Sequence, residues 1–449
     1  MNTELSSARL TNPKYPRNEE TMKASELIYK IEKTGELDGL FAGLYGKEAV
    51  GTQKKRYAEA AGEFIKRFGD GEVSVFSVPG RSEILGNHTD HQRGRVIAAA
   101  VNLDIIAIAE KTDSDTTTVV SRGFEPDVVP AVPGKPSPEG YYRSSALISG
   151  MADGLLKRGY KISAFNAYTT SDVFKGSGLS SSAAFEVMIG TIQNHFANGG
   201  KISAPVIAEI AKYSENVWFN KPSGLMDQTA CSVGGFCFID FEDPSAAKIK
   251  KLGFSLSDAG YRLCITNTGG NHADLNDDYS SVPAEMKKVA ALFGADVLRG
   301  VTADELIGKA AEIRQKCGDR AFLRAFHFIN ENERVGQAAD LLGSGDFPGF
   351  LKCIGNSGNS SFKWLQNVYT PKNVGEQGLS LALAVSEHVL KGSPRPTASR
   401  VHGGGFAGTI QAFVPDEYVS EYKKTLESVF GPDSVYVLNV RKDGAVKLI

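Results

Sequence analysis

The chain has 449 residues, 41% hydrophobic and 23% charged, with 50 basic against 52 acidic side chains and a formal net charge of −2. That length exceeds what one compact core ordinarily serves, so two domains are expected. The balanced charge excludes a global basic field for nucleic acid and a polybasic membrane patch.

Residues 1–50 read as a polar, irregular N-terminal extension with a short helix in ASELIYKIEKTGELDGLF, and the opening residues lack the apolar core of a secretory signal. KKRYAEAAGEFIKRFG has helical spacing at Tyr57, Ala60, Ala61, Phe64, Ile65 and Phe68 and closes on Gly69. EVSVFSVPG, GRVIAAAVNLDIIAIAEK and TTTVVSRG read as strands. The apolar run from Val96 is broken by Asn102 and Asp104. It falls short of the roughly 18 uninterrupted apolar residues of a membrane span. SALISGMADGLLKRGY is a predicted helix, followed by the strand ISAFNAYTTSD and a glycine- and serine-rich loop. The helix from Ser181 to about Ala197 buries Ala184, Val187, Met188 and Ile192 on one face. GGFCFIDF and YRLCITNTGG are expected strands, helical patterns dominate from Val282 to about Leu390, and GTIQAFVP and SVYVLNV are strands flanking a last helix. Strands and helices interleave without strict βαβ alternation, so the fold class expected is α+β. The five cysteines, Cys231, Cys237, Cys264, Cys317 and Cys353, are widely spaced with no C-x-x-C pair. They argue for reduced thiols in a soluble cytoplasmic protein rather than a disulfide framework or zinc knuckle.

The stretch FKGSGLSSSAAFEV raises the functional question. Glycines at 176 and 178 let the backbone approach a ligand, the N–H groups and dipole of a helix start favour an anion, and serine hydroxyls add donors. The competing reading is a glycine loop whose Ser180 only caps the helix. It is not a Walker loop, because each Gly-Lys pair is followed by Glu, Pro, Ile or Ala, and no G-x-G-x-x-G stands there. Two further stretches keep it company. VPGRSEILGNHTDHQRG packs Arg81, Asn87, His88, Asp90 and His91 into one turn-rich segment, and ASRVHGGGFAGTIQAFVP sets glycines before a strand. The histidines and aspartate of HTDH also admit a metal-site reading, which no third cluster supports.

Together, from about Arg56 to the C-terminus, these stretches resemble the three signature motifs of the GHMP kinases, with KPSGLMDQTA in its place between the second and third. The first resembles the galactokinase signature. The resemblance implies an extension at 1–50, an N-terminal kinase domain at 51–245 and a C-terminal one at 246–449, with the active site in the cleft between. It implies an ATP- and Mg²⁺-dependent sugar 1-kinase acting on galactose, with N-acetylgalactosamine or arabinose as alternatives and a non-catalytic galactose- and ATP-binding regulator as the rival class. By the same resemblance Asp227 and Arg81 are catalytic, and Asn87, His88, Asp90, Asp227 and Tyr279 contact the sugar. Gly176, Ser177, Gly178, Leu179, Ser180, Ser181, Ser182 and Ala183 cradle ATP, and Ser182 and Glu215 ligate Mg²⁺. Partners other than galactose and ATP are not implied: no nucleic acid, no membrane, a monomer or weak homodimer. The first motif usually reads G-R-V-N-L-I-G-E-H-T-D-Y, and here Ser82, Glu83, Asn87 and His91 depart from it. Asn87 replaces a glutamate that contacts the sugar.

Overall fold

The structure, a computed structural model, describes residues 21–173, 178–243, 245–270 and 275–449. In chain order the strands are β1 (Met22–Lys23), β2 (Glu72–Leu85), β3 (Arg95–Thr112), β4 (Thr116–Ser121), β5 (Asp127–Pro130), β6 (Ala164–Ser171), β7 (Phe236–Asp240), β8 (Lys248–Leu252), β9 (Tyr261–Asn267), β10 (Ala398–Val401), β11 (Thr409–Pro415), β12 (Val435–Leu438) and β13 (Val446–Lys447). They make a large sheet in the order β1-β2-β3-β6-β4-β5, to which β13, β7 and β8 attach, and a second sheet in the order β10-β11-β9-β12. The α+β expectation is met.

β3 is the spine of the large sheet. It pairs with β2 along one edge and with β7 and then β6 along the other. Both of its faces are covered, which is why it reads as a nearly continuous apolar run rather than an alternation. Ile106 and Ile108 pack with Tyr57, Ala61 and Phe64 of the Val50–Phe68 helix. Ala107 and Ala109, pointing the other way, pack with Val187 and Met188 of the Ser181–Asn198 helix. β8 continues this sheet past β7, and β13 returns to β2, pairing Val446 with Ser77 and Lys447 with Phe76.

Residues 21–49 are not irregular. Helices at Ala24–Tyr29 and Asp38–Tyr45 bury Leu27, Phe41, Leu44 and Tyr45 against the Val50–Phe68 helix. The short helix expected in ASELIYKIEKTGELDGLF is thus two helices, separated at Gly35 and followed by Gly46, both at positive φ. Strands β5 and β8 also escape the sequence reading. β8, KIKKL, is a charged edge strand with one fully buried residue, Leu252. Among the described residues no helix is long and apolar enough to cross a membrane.

A buried charge network holds the sheet to the helices around it. Asp104, fully buried in mid-β3, accepts from Arg56 Nη1 at 2.6 Å, Tyr45 Oη at 2.5 Å, Arg441 Nη1 at 3.1 Å and the Ser77 hydroxyl. Burial alone would push its carboxyl pKa up, and the two guanidinium groups with these hydrogen bonds outweigh it and hold the pKa down. Because the shift is downward, the stabilisation is complete above the unfolded-state pKa and is lost as pH falls through the native one. Asp104→Asn leaves buried Arg441 without its counter-charge and Arg56 with only Asp172, 2.9 Å away, and is expected to cost about 3–5 kcal/mol in urea unfolding. A loss under about 1 kcal/mol would show that the network is dispensable.

Candidate active site

The site grows from an irregularity in β2. Register shifts between Pro79 and Arg81 and between Glu83 and Leu85 mark bulges where β2 pairs with β3. Pro79 has no N–H to give the ladder, and a bulge there re-aims the next side chains. Gly80 is needed beside it, because a Cβ would stand 2.9 Å from the Leu179 carbonyl oxygen. The first and second motifs therefore touch through backbone, with Arg81 N–H donating to Leu179 O at 3.0 Å.

Arg81 then forks onto Asp227, Nε to Oδ1 at 2.7 Å and Nη2 to Oδ2 at 2.6 Å, while Nη1 donates to the Gly178 carbonyl. Asp227 opens the Met226–Val233 helix, whose N-terminal dipole suits a carboxylate. Ser180 adds a hydroxyl bond to Asp227 Oδ2. Burial would raise the Asp227 pKa, but Arg81 and then Ser180 prevail and hold it below the ordinary aspartate value. The side chain keeps 32% of its surface open, enough for a ligand to reach it.

Ser180 stands at the N-cap of the Ser181–Asn198 helix in the left-handed region, φ 56°, and makes no side-chain cap bond. The capping reading of the loop fails for this residue. The first intrahelical backbone bond is Ala184 N–H to Ser180 O, so the N–H groups of Ser181, Ser182 and Ala183 at the helix start lack an intrahelical acceptor. Gly178 and Leu179 lie directly before, and Gly176 and Ser177 fall outside the described residues. Ser182 Oγ donates to Glu215 Oε1 at 3.4 Å. Glu215 is buried and also receives Lys221 Nζ on Oε1 at 2.6 Å and Gln228 Nε2 on Oε2 at 2.9 Å. Lys221 and Gln228 escaped the sequence reading, although both stand in KPSGLMDQTA around Asp227.

Of the first motif, His88 turns on a left-handed backbone, φ 56°, and its Nε2 bonds the Gly404 carbonyl at 2.9 Å. Burial lowers its pKa. Asp90 Oδ1 accepts its own loop's His91 N–H at 2.9 Å. Asp90 Oδ2 faces the other way, 3.1 Å from where a Gly224 Cβ would be, against the loop that leads into Asp227. Tyr279 donates to the Gly405 carbonyl at 2.9 Å and meets the Phe406 ring edge-on. Asn87 is fully buried among Glu83, Gly403, Asn367 and Ser361. His402, ahead of the third-motif glycines, bridges Ser82 Oγ at 3.0 Å and Thr409 Oγ1 at 2.8 Å, and burial drops its pKa to about 3. Gly405 has no alternative: φ is +82° and a Cβ would meet the Asn367 carbonyl at 2.0 Å. His88, Asp90, Arg81, Asp227, Tyr279 and Ser180–Ala183 thus come from distant segments onto the surfaces where the three motifs meet.

Residues 62–111 match the family described as the galactokinase galactose-binding signature, and residues 146–235 match the GHMP kinases N-terminal domain. A galactokinase of Streptomyces coelicolor is 28% identical over 391 residues, 86% of this chain and 94% of that one. A galactokinase of Glaesserella parasuis is 29% identical over 366 residues, 81% and 91%. Among solved structures, Lactococcus lactis galactokinase complexed with galactose superposes with a TM-score of 0.71 at 22% identity, covering 86% of this chain and 98% of its own. A mevalonate kinase superposes at 0.56 and 13% identity, covering 82% and 99%.

The geometry makes one electrostatic prediction. In Arg81→Gln the burial of Asp227 is no longer opposed by a guanidinium, so its carboxyl pKa should rise above the ordinary aspartate value. Carbon-detected NMR titration of labelled aspartate reads this directly, and an unchanged low pKa would mean that Arg81 does not control it.

Proposed function

We propose that this chain is a GHMP kinase and that it transfers the γ-phosphoryl group of ATP to the anomeric hydroxyl of galactose. The observation that carries the reading is the forked Arg81–Asp227 pair, held against the backbone of the second motif by Gly178 and Leu179. Phosphoryl transfer needs an oriented acceptor oxygen and donors around the phosphate charge more than it needs covalent chemistry. Asp227, in this reading, accepts the hydrogen bond of the sugar's anomeric hydroxyl and aims its oxygen at the phosphate. With its pKa held low it is a weak base, suited to taking the proton as the O–P bond forms rather than before. Arg81 keeps that carboxylate ionised and fixed. His88, Asp90 and Tyr279 surround the rest of the sugar. Asp90 is the group able to accept from two neighbouring hydroxyls, since an ionised carboxylate offers lone pairs on both oxygens.

Gly178, Leu179, Ser180, Ser181, Ser182 and Ala183, with Gly176 and Ser177 before them, take the phosphates. The support is the uncapped helix start, whose N–H groups need an acceptor and whose dipole favours an anion. Ser182 and Glu215 fit Mg²⁺. They bring hard oxygens together, Glu215 Oε1 already draws the Lys221 ammonium, and a site of one or two protein oxygens completed by phosphate and water is what this ion accepts. Bound there, Mg²⁺ supplies charge neutralisation on the phosphate oxygens.

Two measurements test the reading. Asp227→Asn keeps the shape and removes the charge, so kcat should fall by roughly 10² to 10⁴ with ATP KM little changed. Normal turnover by that variant would take Asp227 out of the reaction. Across a sugar panel, galactose should lead in kcat/KM and glucose should fail, because its equatorial C4 hydroxyl leaves a buried partner unpaired. Because Asn87 replaces the family's glutamate, a kinase for N-acetylgalactosamine or arabinose is the second reading. A clear preference for either sugar over galactose would establish it.

A further inference from the structure

Asn87 stands where the family's sugar-contacting glutamate is expected, yet its amide has nothing left to offer a sugar. A primary amide has two N–H donors and two carbonyl lone pairs. Asn87 Nδ2 donates to the Gly403 carbonyl at 2.6 Å and to Glu83 Oε1 at 3.1 Å. Its Oδ1 accepts from Asn367 Nδ2 at 2.6 Å and Ser361 Oγ at 3.4 Å. The side chain is fully buried, and its backbone carbonyl is taken as well, by His327 Nε2 at 3.0 Å. Asn367 also holds Gly404 O, at 3.0 Å, and its own carbonyl receives Phe406 N–H. The same amide therefore touches the sugar turn, the third-motif glycines and the helices of the C-terminal half.

We propose that Asn87 is a positioning residue, a clasp that holds the third-motif glycine loop against the sugar-binding turn, and that it makes no contact with the sugar. This inference rests on the kinase reading above for what the clasp serves, but not for its existence. The chemistry explains why an amide is needed. A carboxylate at 87 has no hydrogen to give Gly403 O and would stand against a second carboxylate, Glu83. The acid sits instead at position 83, where burial raises its pKa and Arg400 opposes that rise, its Nη2 3.5 Å away and its Nη1 donating to Ile84 O at 3.0 Å. Amide and acid have exchanged places along one turn of chain, relative to the usual N-x-x-x-E order of the first motif. One consequence concerns specificity. The position that reads the C6 hydroxyl in the family is withdrawn from the sugar here, so C6 is not read by residue 87.

The test is a set of variants with two kinds of readout. Asn87→Asp is nearly isosteric and turns both donors into acceptors. It should raise the KM for ATP and for galactose together and lower kcat/KM about tenfold, since a buried bond network loses two members. The ratio of kcat/KM for galactose over 6-deoxygalactose should stay within about twofold of the wild type, a differential too small to reflect a lost hydrogen bond to a substrate hydroxyl. Adding Glu83→Gln to Asn87→Asp supplies a donor and removes the facing charge, so the double variant should regain about threefold or more, a coupling expected only of residues in contact. The thermal midpoints of wild type, Asn87→Asp, Glu83→Gln and the double variant should show the same recovery whether or not any sugar is turned over. If wild type phosphorylates no sugar, the functional reading falls while these midpoints still decide the clasp. A changed sugar ratio with ATP KM and midpoint unmoved, or additive effects of the two substitutions, would overturn it.

Discussion

One guanidinium sets the arrangement of the site. Arg81 spends its fork on Asp227 and its remaining Nη1 on Gly178, so a bulged strand, the loop before the Ser181–Asn198 helix and the start of the Met226–Val233 helix are fixed relative to one another by one side chain. A lysine could not substitute, since a point ammonium cannot satisfy two carboxylate oxygens and a carbonyl in fixed directions. Removing two charges from water is costly unless their remaining hydrogen-bonding groups are satisfied. That requirement is met by the Ser180 hydroxyl and the Gly178 carbonyl, and it explains why Ser180 takes the left-handed region instead of capping its helix.

The rest of the site follows from bringing backbones into contact. Gly80 admits Leu179 O, and Gly405 admits the Asn367 carbonyl, each at a distance that no Cβ would permit. The glycines of the third motif contribute carbonyl oxygens: Gly403 to Asn87, Gly404 to His88 and Asn367, Gly405 to Tyr279. Two of those acceptors fix the orientation of Asn87 and His88 in the first motif. The large sheet provides the rigidity behind them, with β3 paired along both edges and Asp104 anchored by two buried arginines.

Much of this was legible in the sequence, for identifiable reasons. β3 and the Ser181–Asn198 helix announce themselves because long apolar patterns of fixed period have few alternatives. The nearness of Arg81, Ser180 and Asp227 is implied by the resemblance of three motifs in order, not by any spacing within one of them. What stayed hidden depends on distant partners. Asn87 looks like a sugar contact until Asn367 and Gly403 arrive from 280 and 316 residues away and use up its amide. Ser180 looks like a cap until Asp227 claims its hydroxyl. At the N-terminus one short helix is legible where two stand, because Gly35 at positive φ divides them before a clear period can form.

The central claim is that the Asp227 carboxylate, held by Arg81, directs one hydroxyl of galactose to the γ-phosphate of ATP. Phosphorus NMR of the product formed from ATP and galactose tests it most directly, because the coupling of the phosphorus to the sugar protons identifies the carbon that bears the phosphate. The account predicts a single sugar phosphate on the anomeric carbon, formed in step with ADP and abolished in Asp227→Asn. Phosphate on C6 or another carbon, or ADP formed with inorganic phosphate and no sugar phosphate, would contradict it.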